Sequence, residues 1–190
     1  MSILHLVRHG PTNKKGLIGW TDVDVDLTNT DAIKWLDKRL PDVPIISSDL
    51  KRAIETADAI GTGRTRLAHN PQLREFNFGD WEGLTGQDVM QKDPELSRAY
   101  WDDPGVHAPP NGEAWNTVSA RVSTALDTLL DKHSELIAVA HMGMILTQIA
   151  RAANLPARSA LAFKIDNLSV TSLERLDGGH WRVLGVNHKY

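Results

Sequence analysis

The chain has 190 residues, 41% of them hydrophobic, a formal charge of −3 and no cysteine. That length suits one domain with a substantial core, and the absence of cysteine excludes disulfides, thiolate metal sites and a cysteine nucleophile. Scattered Lys and Arg exclude a general attraction for nucleic acid, and no apolar run approaches the roughly 20 residues of a membrane span, so a cytoplasmic protein with neither partner is expected.

Met1 to Leu6 is too short for a signal-peptide core, and the first predicted element, Ile3 to Val7, apolar apart from His5, is shaped like a buried parallel strand. It breaks at His9-Gly10-Pro11. The turn made by Gly10 and Pro11 would project the His9 imidazole from the strand end with Arg8 beside it. A neutral imidazole can attack phosphorus and divide one difficult transfer into two, and a guanidinium can fork onto phosphate oxygens. A lone histidine at a strand end is more often a structural hydrogen-bonder than a nucleophile, so the weight of His9 comes from its context. His5 should lie about 13 Å back along the strand and reads as a core histidine. Thr30 to Leu40 patterns as a helix, and Val43 to Ser48 as a second buried strand, with Ser47-Ser48-Asp49 as a helix entry. In the first turn of the next helix, Leu50 to Ile60, Arg52 can reach an anion at the same sheet edge, whereas Lys51 suits a solvated position.

Glu75 is followed by Phe76, Phe78 and Trp81, rings that would desolvate its carboxyl and favour a proton-donating form. The alternatives are a loop carboxylate paired with Arg74, or Glu82 in the same role. Residues 85–112, rich in proline, are the least regular stretch. Glu113 to Lys132 reads as a helix whose Val118, Val122, Ala125, Leu126, Leu129 and Leu130 form a core stripe. A third apolar strand, Leu136 to Ala140, opens into His141-Met142-Gly143, followed by a helix over Met144 to Asn154. Ser169 to Glu174 and His180 to Val186 read as a hairpin around Asp177-Gly178-Gly179. Three strands thus end in chemistry-bearing segments, and in open α/β sheets active residues collect beyond the carboxyl ends of strands. A second imidazole, His141, would donate to a phosphoryl oxygen. His9 and His141 could instead bind a metal, although no third ligand is evident and the neighbouring arginines would repel a cation.

Four segments, in order, carry a resemblance: Leu6-Val7-Arg8-His9-Gly10, Ser47-Ser48-Asp49-Leu50-Lys51-Arg52-Ala53, Leu73 to Gly83, and Val139-Ala140-His141-Met142-Gly143. Together they resemble the histidine phosphatase superfamily, which includes cofactor-dependent phosphoglycerate mutases, the bisphosphatase half of the fructose-2,6-bisphosphate enzymes and α-ribazole phosphatases. The resemblance implies a three-layer α/β/α sandwich with a mainly parallel sheet, one domain over residues 1–190, and a cap inserted at about residues 85–112 that covers the substrate and sets specificity. It implies His9 as nucleophile, Arg8, Arg52 and His141 as the phosphoryl grip, and Glu75 ahead of Glu82 as proton donor. Thr12 and Asn13 are the nearest candidates for the loop residues that cradle phosphate. No metal or cofactor is implied, and the substrate would be a small phosphorylated metabolite.

The chain departs from its relatives at Pro11, where many members carry glutamate, at Met142, and at Leu146, a position often held by arginine. Glu75 precedes Phe76-Asn77-Phe78, whereas the mutases there carry Arg-His-Tyr, which grips the carboxylate and second phosphate of their substrate. Phe78-Gly79-Asp80-Trp81-Glu82, with Pro110-Asn111-Gly112-Glu113 further on, looks more like the phosphatase branch, especially α-ribazole phosphatases. The expected function is metal-independent hydrolysis of a small phosphomonoester through phosphohistidine. The alternatives are a mutase-type phosphotransferase and a non-catalytic phosphate-binding regulator.

Overall fold

In the computed structural model, which describes residues 1–189, the three apolar runs become neighbouring parallel strands. These are β1 (Ser2–Arg8), β2 (Ile45–Ser47) and β3 (Glu135–Ala140), with β3 between the other two. The tail forms the expected hairpin, β4 (Val170–Arg175) and β5 (Trp181–His188). β4 lies antiparallel against the other side of β1, giving the sheet order β2-β3-β1-β4-β5. The sheet is therefore mixed, parallel where the site lies and antiparallel at the far edge. At the hairpin turn Gly178 (φ 76°) and Gly179 (φ 81°) take the left-handed conformation that a Cβ disfavours.

Strand alternation divides the core. On β3, Leu136, Ala138 and Ala140 pack with α5 (Trp115–Leu130) and α6 (Met142–Ala153). Ile137 and Val139 face α1 (Thr30–Arg39) and α2 (Lys51–Ile60) across the other surface. Both faces being covered is why these strands read as unbroken apolar runs. The stripe on α5 is buried at Val118, Val122, Leu126 and Leu130 and partly buried at Ala125 and Leu129. The result is the three-layer α/β/α sandwich.

Residues 85–112 are more regular than their composition suggests, holding α3 (Gly86–Lys92) and α4 (Pro94–Asp102). Thr85 and Asp88 close a reciprocal capping box at the start of α3. Pro94 occupies the first turn of α4, where its missing N–H is no loss. Trp81, Val89 and Tyr100 form a small cluster of their own, and Trp81 Nε1 donates to Asp93 at 2.6 Å. A short α7 (Ala157–Ala160) follows α6. No described helix is long and apolar enough to cross a membrane.

Candidate active site

Backbone pairing brings three strand ends to one edge. Arg8 lies opposite Ala140 in the register, His9 N–H donates to Ala140 O at 3.0 Å, and Ser48 N–H donates to Val139 O at 3.1 Å. His9 and His141 consequently stand with ring centroids 5.2 Å apart and planes tilted by 57°. The His9 imidazole is buried, and Gly10 O lies 2.6 Å from its Nδ1. A carbonyl only accepts, so Nδ1 carries the proton and Nε2 keeps a free lone pair. Burial, and then the charge of Arg52, push the imidazole down to about 3, opposed by the Gly10 carbonyl. The ring is neutral at neutral pH. Thr56 Oγ1 accepts from Gly10 N–H at 3.0 Å, and Asn167 Nδ2 donates to the carbonyls of His9 and Gly10.

Arg52 projects from the first turn of α2 and is only 1% exposed. Its guanidinium donates to Thr21 O at 3.0 Å and Gly19 O at 2.6 Å. Lys51, one residue earlier, is exposed and pairs with Asp24. Arg8 donates from Nη1 to Ile165 O, while its buried Nε has no partner among the described residues. Burial is the main influence on both guanidinium groups and lowers their affinity for the proton, with the Glu75 carboxylate opposing it.

His141 is fully buried as the residue preceding α6, with Nε2 2.8 Å from Ser48 Oγ. Ser48 Oγ also accepts from Leu50 N–H at 3.1 Å. Its hydroxyl carries one proton and a second lone pair, so it can donate to His141 Nε2, in the tautomer with the imidazole proton on Nδ1, or accept from Nε2–H in the other. His141 Nδ1 is a second buried nitrogen without a protein partner among the described residues. Burial, then Arg52 and His9, hold the ring well below its ordinary proton affinity.

Glu75 is buried, but its oxygens do not face bare aromatic walls as the sequence suggested. Oε1 accepts from Phe76 N–H at 3.0 Å and Met144 N–H at 3.1 Å, and Oε2 from Gly143 N–H at 2.9 Å. Backbone amides at the start of α6 thus solvate the carboxyl. Its sequence neighbour Arg74 pairs with Asp49 instead. Glu82 accepts from the N–H groups of Gly19, Trp20, Thr21 and Phe78. The loop whose amides it holds is the one whose carbonyls hold Arg52. Thr12 is half-buried and Asn13 exposed, and neither has a hydrogen bond to His9, Arg52 or His141 among the described residues.

Arg121, read in the sequence only as a member of a scaffold helix, donates to the backbone carbonyls of Gln72, Arg74 and Glu75. It is anchored by a two-point pair with Glu113, whose other contact is Asn77 N–H. Arg121 and Asn167 therefore hold the segments that carry Glu75 and His9, and no local pattern marks either of them.

A family model described as the histidine phosphatase superfamily (branch 1) matches residues 4–189. The chain belongs to this superfamily. Among histidine phosphatase relatives, it is 29% identical to the adenosylcobalamin/alpha-ribazole phosphatase of Escherichia coli, over 98% of this chain and 91% of that one. It is 32% identical to the glucosyl-3-phosphoglycerate phosphatase of Mycobacterium tuberculosis, over 94% and 86% of the two chains. The solved structure of YhfR from Bacillus stearothermophilus superposes with a TM-score of 0.86 at 30% identity, covering 97% of this chain and 96% of that one. The mixed sheet and flanking helices are thus the histidine phosphatase fold, and phosphatases are prominent among its relatives.

Proposed function

We propose that the chain hydrolyses a small phosphomonoester through a phosphohistidine on His9. The observation that carries this reading is the His9 tautomer: a neutral ring with its proton fixed on Nδ1 presents the Nε2 lone pair to an electrophile. Attack forms the Nε2–P bond and breaks the bond from phosphorus to the alcohol oxygen. Arg8, Arg52 and His141 Nδ1–H surround the transferring oxygens with positive charge and donors, which is the main demand of phosphoryl transfer. Glu75 is the proton donor to the leaving oxygen, through Oε2, which accepts only one amide bond. A water then attacks phosphorus, its hydroxyl joining the phosphate and its proton returning to Glu75, and His9 is released unchanged. Residues 85–112 act as the substrate cap in this reading.

The charge the reaction needs is supplied by side chains, so turnover is expected to persist in EDTA. Quenching into alkali during turnover, with EDTA present, should trap phosphate on His9, and His9→Ala should lose both the label and activity. Label on another residue, or recovery of activity only on adding a divalent ion, would refute the mechanism. A mutase reading has support in the 31% identity to phosphoglycerate mutase-like protein 4 of Arabidopsis thaliana. Against it, Phe76 is buried where the mutases place a basic side chain. With 3-phosphoglycerate and 2,3-bisphosphoglycerate, the expected product is inorganic phosphate with little 2-phosphoglycerate; efficient interconversion would reverse the assignment.

A further inference from the structure

Next to Glu75, and to the Met142 and Gly143 that follow His141, opens a narrow cleft of about 70 Å³. Its lining is aromatic to an unusual degree for this chain, which holds only 6% aromatic residues. Phe76 and Phe78 stack with centroids 6.2 Å apart, Trp115 leans on Phe76 at 5.8 Å, and Tyr100 meets Trp101 edge to face at 4.8 Å. Leu146 adds an aliphatic surface, and no Lys, Arg or His is part of the lining among the described residues. Trp101, on α4, is 40% exposed and Met142 42% exposed, so apolar surface is left in water at the cleft itself.

The proton donor and the cleft are contiguous, so whatever alcohol receives the Glu75 proton occupies this space. A carboxylate or second phosphate there would lose its water without gaining a cation and would face the Glu75 carboxyl. A polyol would find few groups to replace its hydrogen bonds to water. A flat apolar ring loses nothing on leaving water and gains aromatic contact on several sides. Resting on the phosphatase reading above, we infer that the substrate is the phosphate monoester of a small alcohol bearing an aromatic ring and no anionic group.

The test compares kcat/KM for 2-phenylethyl phosphate, ethyl phosphate, glycerol 3-phosphate and 3-phosphoglycerate. All four release alkoxides rather than phenolates, so ready departure of the leaving group does not decide the order. The phenylethyl ester should exceed ethyl phosphate by about tenfold or more, and 3-phosphoglycerate by about a hundredfold, the scale expected when a hydrophobic pocket discriminates. Trp101→Ala, made at a half-exposed position that the core does not depend on, should cut the phenylethyl-to-ethyl ratio at least fivefold, chiefly through KM. Equal kcat/KM values, a preference for either glycerol-derived ester, or an unchanged ratio in Trp101→Ala would overturn the inference while leaving the phosphatase reading intact. Failure to hydrolyse any of the four, with no phosphohistidine formed, would overturn both.

Discussion

Ser48 shows how one hydroxyl sets the chemistry of a histidine it only supports. It accepts Leu50 N–H, and in the proposed mechanism it gives its own proton to His141 Nε2, which leaves Nδ1–H of a fully buried ring as the donor to the phosphoryl group. Removing the hydroxyl frees the ring to adopt the other tautomer, which would turn a lone pair toward the anion. Ser48→Ala should therefore slow phosphohistidine formation about tenfold, the effect of losing one hydrogen bond worth about 1.4 kcal/mol. Rapid-quench rates per folded molecule, with the melting temperature measured alongside, check this. A lowered melting temperature with an unchanged rate would reduce Ser48 to a packing residue. Glu82 works at one more remove: it grips the amides of residues 19–21, while Arg52 grips carbonyls of the same loop.

At the level of elements, the start of α6 carries most of the site's order. The sequence places that helix at Met144 and treats Gly143 as part of a turn, but the helix begins at Met142, and Gly143 is there for close approach. A Cβ at Gly143 would come within 2.6 Å of Glu75 Oε1 and 2.7 Å of the Phe76 ring. Gly143→Ala should thus dislodge the Glu75 carboxyl. Hydrolysis of alkyl phosphates, whose alkoxide needs a proton, is expected to fall at least tenfold further than hydrolysis of p-nitrophenyl phosphate, as general acid catalysis is worth about 10² to 10⁴ in rate. Equal losses on both esters would separate Glu75 from proton donation. The three parallel strands and the placement of His9, Arg52 and His141 are legible in the sequence because each apolar run ends directly in a polar turn. The supports are not. Asn167 reaches His9 across 158 positions and Arg121 reaches Glu75 across 46, both through backbone carbonyls that carry no side-chain signature. The helices of residues 85–112 are obscured for a different reason: proline opens one of them instead of breaking it.

For the molecule as a whole, two buried neutral imidazoles tie stability to pH. His9 titrates at about 3 when folded, against 6.5 ordinarily, and His141 is shifted the same way. Between those limits the unfolded chain binds protons that the folded chain refuses, so stability rises with pH and is lost on acidification. Each such histidine contributes a slope approaching about 1.4 kcal/mol per pH unit below its ordinary value. The melting temperature should fall steeply from pH 6 to pH 4, and His9→Asn should make that decline shallower. A parallel decline in wild type and variant would show that carboxylates alone control acid unfolding. The position of β1 bears on how the molecule is made. The strand that carries His9 lies between β3 and β4, with Leu4 opposite Leu136 on one side and Leu173 on the other. It is made before both of its neighbours, which follow more than a hundred residues later, roughly 6 to 32 s at usual elongation rates. For that interval the apolar strand that carries His9 has no native partner on either side, so its pairing is among the last long-range contacts the chain can complete.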